Sequence, residues 1–363
     1  MTDFYEIDFL DVESNKSGDA IAMRYVINGI TTIHITDGGY QDTGIKLAEH
    51  IQKYYDAPAY IDHVVATHND GDHAGGLRHI LETYEVGELW MHRPWLYADD
   101  LIDRFQRFTN VENLKTRLKE VYPNLAALEE IAIDRGIPIR EPFQGKKIGA
   151  FTVMSPSKDR YLDLVVDSEK TPESVNETQT AQGGLASLFA AASTQVVKFI
   201  TAMWGDETFS SEETSAENEM SVVQYAVLNN KKILLTGDTG RAGLAEAAEF
   251  APTVGLALPG IDKFQVPHHG SRRNVSSEAL DHWLGPKLKN DVEDGKELFT
   301  AIISSAKKDK DHPRHAVVRA MIHRGGYVIT TEGRNIRTSS SNAPEREGWS
   351  KVAKVAYPND QES

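Results

Sequence analysis

The chain has 363 residues, 40% of them hydrophobic and none of them cysteine, with a formal net charge of −15 and a pI near 5.3. The lack of cysteine excludes disulfides and thiolate metal sites, so any metal must be held by His, Asp or Glu. The acidic balance repels polyanions at long range and excludes a loose, charge-driven nucleic-acid coat, while leaving room for a locally basic or metal-lined cleft. The start, Met1 to Glu6, lacks a signal-peptide pattern, and the longest apolar run, Gly184 to Val197, is too short to span a bilayer, so the expectation is a cytoplasmic protein without a membrane segment.

Tyr5 to Val12 alternates as a strand. Ala20 to Ile27 and Thr31 to Thr36 form two more, joined by the hairpin signal Asn28-Gly29. Thr43 to Tyr55 has helical spacing. The apolar Val64-Val65-Ala66 reads as a buried strand, a helix follows to about Tyr84, and Glu88 to His92 is another strand. Trp95 to Arg135 is helical and heavily charged, and Phe151 to Met154 is a short strand.

Lys158 to Asn218 has a different character, with many Ser, Thr and Glu residues around an Ala-rich segment, Leu185 to Ile200. It is expected to be an insertion with one or two helices and a mobile acidic stretch, Glu207 to Glu217, serving as a lid over the site or as a partner-docking surface. Strands resume at Ser221 to Leu228 and Lys232 to Leu235. A helix covers Arg241 to Phe250. Further strands cover Asp262 to Val266, Ala301 to Ser304, Tyr327 to Thr330 and Asn335 to Thr338. His312-Pro313 opens a helix to Arg324, and the polar tail from Ser339 is expected to fray. Two batches of strands, each with helices, imply two sheets packed face to face with helices outside.

The chemistry concentrates in Thr67 to Gly76, Thr-His-Asn-Asp-Gly-Asp-His-Ala-Gly-Gly, which places His68, Asp70, Asp72 and His73 on one turn between a strand and a helix. Carboxylate oxygen with imidazole nitrogen suits zinc, manganese or iron. Asp238 and the pair His268/His269 end two later strands in the same way. Three strand ends with metal-type residues point to a divalent-metal site.

These motifs resemble the metallo-β-lactamase fold superfamily, and within it the hydrolase domain of the DNA-uptake competence channel ComEC and its stand-alone relatives. The likeness rests on Leu10-Asp11-Val12, Gly18-Asp19-Ala20, Thr36-Asp37-Gly38-Gly39, Thr67 to Gly76, Asn218 to Val222, Leu234 to Asp238, Val266 to Ser271 and His312-Pro313. It implies an α/β, four-layer αββα sandwich over residues 1–340, with a mainly helical insertion: extra segments at about 95–135 and 158–217, then a polar tail, 341–363. The superfamily's His-x-His-x-Asp-His has Asp70 in place of its second histidine, and its further histidine is missing, since none occurs between His92 and His268.

By resemblance one metal takes Asp72, His73 and His269 with Asp238 bridging, and a weaker one takes His68, Asp70 and Asp238. The cofactor is thus one or two divalent ions, zinc or manganese. His269 is preferred over His268 as ligand because it directly precedes Gly270. Asp70 or Asp72 would orient water, and His312 joins them as a catalytic candidate. Asn218, Ser221, His268, Ser271, Arg272 and Arg273 are candidates for gripping substrate, with Asp37 a supporting acid. The expected activity is metal-dependent hydrolysis of a phosphodiester, as in a nuclease acting on DNA or a nucleotide. The alternatives are hydrolysis of a small ester, lactone or amide, or a non-catalytic partner-binding subunit with a degenerate metal site. A protein partner in a multi-subunit system of bacterial defence type is a further expectation.

Overall fold

The computed structural model describes residues 2–12, 15–105, 108–168 and 198–363. The first sheet begins with β1 (Phe4–Phe9), β2 (Ala20–Ile27) and β3 (Ile30–Gly38), antiparallel neighbours. Asn28 and Gly29 both take positive φ, 53° and 78°, which lets so tight a turn match the strand twist. β4 (Tyr60–Val65), β5 (Glu85–Trp90) and β6 (Ile139–Arg140) extend the sheet in parallel. β7 (Lys147–Ile148), β8 (Phe151–Ser155), β10 (Val223–Leu228) and β11 (Lys231–Leu235) form the antiparallel half of a second sheet, β9 (Phe199–Thr201) lying outside it. β12 (Lys263–Gln265), β13 (Phe299–Ile303) and β14 (Gly326–Thr330) complete it in parallel. β15 (Ile336–Ser339) crosses back to pair with β1, so each sheet has seven strands.

The period-2 pattern explains the layering. Ile21, Met23 and Tyr25 of β2 point inward and meet Phe151, Ile233, Leu235 and Ile302 of the other sheet. Ala20 and Ala22 point the other way, into a core with Leu47, Ile51, Leu77 and Ile80 from the helices Gln41–Tyr54 and Leu77–Thr83. The second sheet's outer face carries Phe264, Ala301 and Val328 against Leu244, Trp283 and Met321 of the helices Arg241–Phe250, Ser277–Leu284 and His315–His323. The result is the expected helix–sheet–sheet–helix sandwich.

Four expectations need correction or limits. The turn expected after β4 is in part helical: Gly71–Ala74 forms a helical turn of its own before the helix Leu77–Thr83. The helix expected to open at His312-Pro313 begins at His315, leaving His312 in a loop. The tail does not fray. Arg346 reaches Asp8 and Glu6 at 2.7–2.8 Å, and β16 (Asp360–Glu362) pairs with β9. Polar composition hid this because the docking combines buried charge pairs with scattered single apolar residues, Trp349, Val352, Val355 and Tyr357, that form no periodic stripe. Most of the Ala-rich helix expected at Leu185 to Ile200, and with it much of the lid, lies outside the described residues, while Phe199 and Ile200 belong to β9.

Close backbone approach holds the metal-type turn against the sheet. A Cβ on Gly76 would sit 2.0 Å from the Gly38 carbonyl oxygen, so only glycine lets the turn touch the end of β3.

Candidate metal centre

The donors collect at the carboxyl ends of strands from both sheets, where parallel strands leave loops free to converge. His68 follows β4 and Asp238 follows β11, while His268 and His269 follow β12. Ligand atoms of Asp72, His73, Asp238 and His269 all lie within 4.8 Å of one another. His73 Nε2 is 3.2 Å from Asp238 Oδ1, and His269 Nε2 is 3.6 Å from Asp72 Oδ2 and 3.8 Å from Asp238 Oδ1. His68 stands beside this nest, its Nε2 3.9 Å from Asp70 Oδ2 and 4.0 Å from Asp238 Oδ2.

Hydrogen bonds on the far side of each ring decide which nitrogen faces inward. His73 Nδ1 lies 2.8 Å from Asp37 Oδ2, an acceptor, so Nδ1 carries the proton and Nε2 turns a lone pair toward Asp238. Asp37 is itself held by the Thr67 amide at 2.8 Å and the Thr67 hydroxyl at 2.6 Å. The buried Nε2 atoms of His68, His73 and His269 and Oδ1 of Asp238 have no hydrogen-bond partner. Convergent buried acceptors repel one another unless a positive charge lies between them. Protons can supply it. Against the burial of both rings, Asp238 raises His73 well above the usual imidazole range and His269 to about 9. Burial opposes the ionised form of Asp238, but His73, His268 and His269 hold it well below the usual carboxylate range. A divalent cation meets the same demand, and the mixed His/Asp donor set fits zinc or manganese.

His268, His269 and Gly270 take positive φ in succession, 47°, 54° and 86°. This conformation, costly for the two histidines, turns both rings toward Asp238. His268 Nε2 comes within 3.7 Å of Asp238 Oδ2, and burial lowers the His268 pKa to about 4 despite Asp238. His312 stacks on His268, ring centroids 5.5 Å apart, and its Nδ1 lies 3.2 Å from Asp309 Oδ2. Ser17 anchors Asp309 through its amide at 3.0 Å and its hydroxyl at 2.8 Å.

The residues expected to grip substrate are placed unevenly. Ser221 is fully buried, its hydroxyl lying between His68 Nδ1 and the Asp238 amide, so it props the donors from behind. Asn218 Nδ2 lies 3.0 Å from His268 Nδ1. Ser271 is nearly buried and accepts the Arg273 amide. The Arg272 guanidinium binds the carbonyls of Thr208 and Glu362, and that of Arg273 pairs with Glu212 on the surface. Neither arginine is brought into the donor cluster. Sequence reasoning gave no role to Asp19, whose Oδ2 sits 3.8 Å from His73 Nδ1, or to Asn274, which contacts His268. Asp19 lay in the Gly18-Asp19-Ala20 motif and could have been flagged; Asn274 carried no signal. Asp19, Asp37 and His73 also come within 4.8 Å, but the His73 nitrogen on that side is the one bonded to Asp37, so this trio orients the ring.

A concavity of about 690 Å³ lined by Leu10, Lys46, Arg334 and Trp349 contains none of these donors. No helix among the described residues is long and apolar enough to cross a membrane.

No curated protein sequence matches the chain. Among solved structures, the metallo-beta-lactamase SMB-1 bound to 2-mercaptoethanesulfonate shares 10% identity, covering 70% of this chain and 78% of its own, with a TM-score of 0.29. A beta-lactamase domain protein from Burkholderia ambifaria shares 15% identity, covering 74% and 67%, with a TM-score of 0.30. The model of the metallo-beta-lactamase superfamily matches residues 25–144, the stretch that contains Asp37, His68, Asp70, Asp72 and His73. Over residues 25–144 the chain is thus similar to the metallo-β-lactamase superfamily, a superfamily made up mainly of metal-dependent hydrolases.

Proposed function

We propose that the protein is a metal-dependent phosphodiesterase, a nuclease whose substrate is DNA or a short oligonucleotide. The observation that carries this reading is the pairing of a carboxylate-rich donor nest with a non-nest imidazole, His312, held by Asp309 beside it. A bound dication supplies a water of lowered pKa at neutral pH and an electrophile for phosphoryl oxygen. Asp72, His73, Asp238 and His269 would hold it, with Asp37 fixing His73. Asp70, partly exposed at the start of the Gly71–Ala74 turn, would orient the incoming water. His312 would give its proton to the departing alkoxide, the group that most needs one when a phosphodiester breaks.

The chain's charge of −15 shapes the substrate reading. Arg272 and Arg273 are engaged elsewhere, so neither supplies the basic track of a processive DNA binder. A short or partner-presented strand suits the protein, in keeping with the ComEC-like motifs and with a role as an effector in a multi-subunit defence system. The test is cleavage of plasmid, single-stranded DNA and short oligonucleotides across manganese, zinc and magnesium. Asp72→Ala and His73→Ala should abolish cleavage. Folded, metal-loaded protein that cuts no phosphodiester but opens an ester or lactone would overturn the reading.

A further inference from the structure

We propose that His268 is a ligand of a second divalent cation, which it holds together with His68 on the Oδ2 side of Asp238. The proposal rests on the metal-centre reading above and assigns His268 a role other than contact with substrate.

The tautomer of His268 is set by Asn274. The Asn274 amide nitrogen lies 2.8 Å from the Asp238 carbonyl and 3.2 Å from that of Thr239, so its oxygen must face the other way, toward His268 Nδ1 at 3.1 Å. That oxygen can only accept, so Nδ1 carries the proton. Turning the Asn218 amide over leaves its heavy atoms in place and puts a second acceptor against the same N–H. Thr214 Oγ1, 2.8 Å from that amide, then donates to it while accepting from Asn274. His268 Nε2 is left with its lone pair directed at Asp238 Oδ2, 3.7 Å away.

His68 arrives at the same oxygen by a parallel argument. The Thr67 hydroxyl proton goes to Asp37 at 2.6 Å, so Thr67 Oγ1 can only accept from His68 Nδ1, 3.1 Å away. His68 Nε2, buried and without a hydrogen-bond partner, then turns its lone pair toward Asp238 Oδ2 at 4.0 Å and Asp70 Oδ2 at 3.9 Å. Two imidazole lone pairs thus converge on a carboxylate oxygen distinct from the one the first nest uses. Neutral rings aimed at an anion through their lone pairs are stable only with a cation between them. Each has the outer hydrogen bond that metal-ligating histidines characteristically show. The left-handed backbone at 268 and 269 is what brings two adjacent rings to opposite oxygens of one carboxylate. In this chain, with no histidine between His92 and His268, His268 supplies the imidazole that would otherwise be missing. His68, His268 and Asp238 do not draw together as closely as the four-donor nest, whose ligand atoms all lie within 4.8 Å of one another, so this ion should bind second and more weakly.

The test is equilibrium dialysis of metal-stripped protein against graded manganese, with metal counted by mass spectrometry and the paired-ion signal followed by electron paramagnetic resonance. Wild-type protein should take two equivalents, the second weaker. His268→Ala should keep the first and weaken the second at least tenfold, with loss of the paired signal. His268→Phe, which keeps a ring against His312, should do the same and guards against a folding defect, checked by the melting temperature of the metal-free form. His312→Ala should retain both equivalents. Two equivalents of unchanged affinity in either His268 variant, or a wild-type protein that never takes a second, would overturn the proposal. Neither outcome depends on whether DNA is cut, so it stands or falls apart from the nuclease reading.

Discussion

Asp37→Asn isolates the orientation of one ring. The substitution keeps shape and keeps Oδ1 to accept the Thr67 amide at 2.8 Å, but turns the atom 2.8 Å from His73 Nδ1 from an acceptor into a donor. His73 must then move its proton to Nε2, where it donates to Asp238 Oδ1 at 3.2 Å and can no longer bind a cation. Loss of such an outer partner typically weakens metal binding 10–100-fold, about 1.4–2.7 kcal/mol. Exchanging charged for neutral hydrogen bonds at Thr67 and His73 should lower metal-free stability by about 1–3 kcal/mol. Asn tolerates the positive φ of 57° at this position, so backbone strain adds little. Calorimetric titration with manganese or zinc gives the first quantity and urea unfolding in chelator the second. Wild-type metal affinity in a folded Asp37→Asn protein would refute the tautomer argument.

His312→Ala and Asp309→Asn should each slow DNA cleavage while leaving the tighter metal equivalent in place, the first by about 10²–10⁴-fold if His312 is the proton donor; single-turnover assays beside metal analysis check this. Arg346→Met should destabilise the fold by about 3–5 kcal/mol, because Glu6 and Asp8 are fully buried and would lose a shared cation, although Arg24 and Arg337 still reach Glu6; chemical denaturation measures it. Glu207 is buried, which favours its neutral form, yet His323 and Arg324 hold its pKa at about 2 against an ordinary 4.5. A depressed carboxylate contributes stability above its unfolded pKa and loses it as pH falls, so this contribution should fade between about pH 5 and 2, and Glu207→Gln should flatten the unfolding profile over that window.

Reading the chain alone located the main strands and the two-sheet layering because alternation and turn chemistry are local: Asn28-Gly29 and Asn229-Asn230 announce hairpins wherever they stand. The donor residues were legible for a related reason, since His and Asp after a β-rich run have few other uses in such density. The short strands β6 and β7, two residues each, left no period to detect. Long-range partners were equally silent. Nothing in Arg272 or Arg273 says that one will be held by backbone carbonyls 64 and 90 residues away and the other by a surface glutamate. Ser221 looked like a hydroxyl for substrate and proved to be a buried prop.

Covalent order therefore decided most of the element types, the absence of thiolate chemistry and which residues are candidates for ligands. Packing settled which face each ring presents. A histidine's chemistry depends on which nitrogen holds the proton, and that choice is made by acceptors such as Asp37 and Asn274 that only the folded chain brings within 3.1 Å.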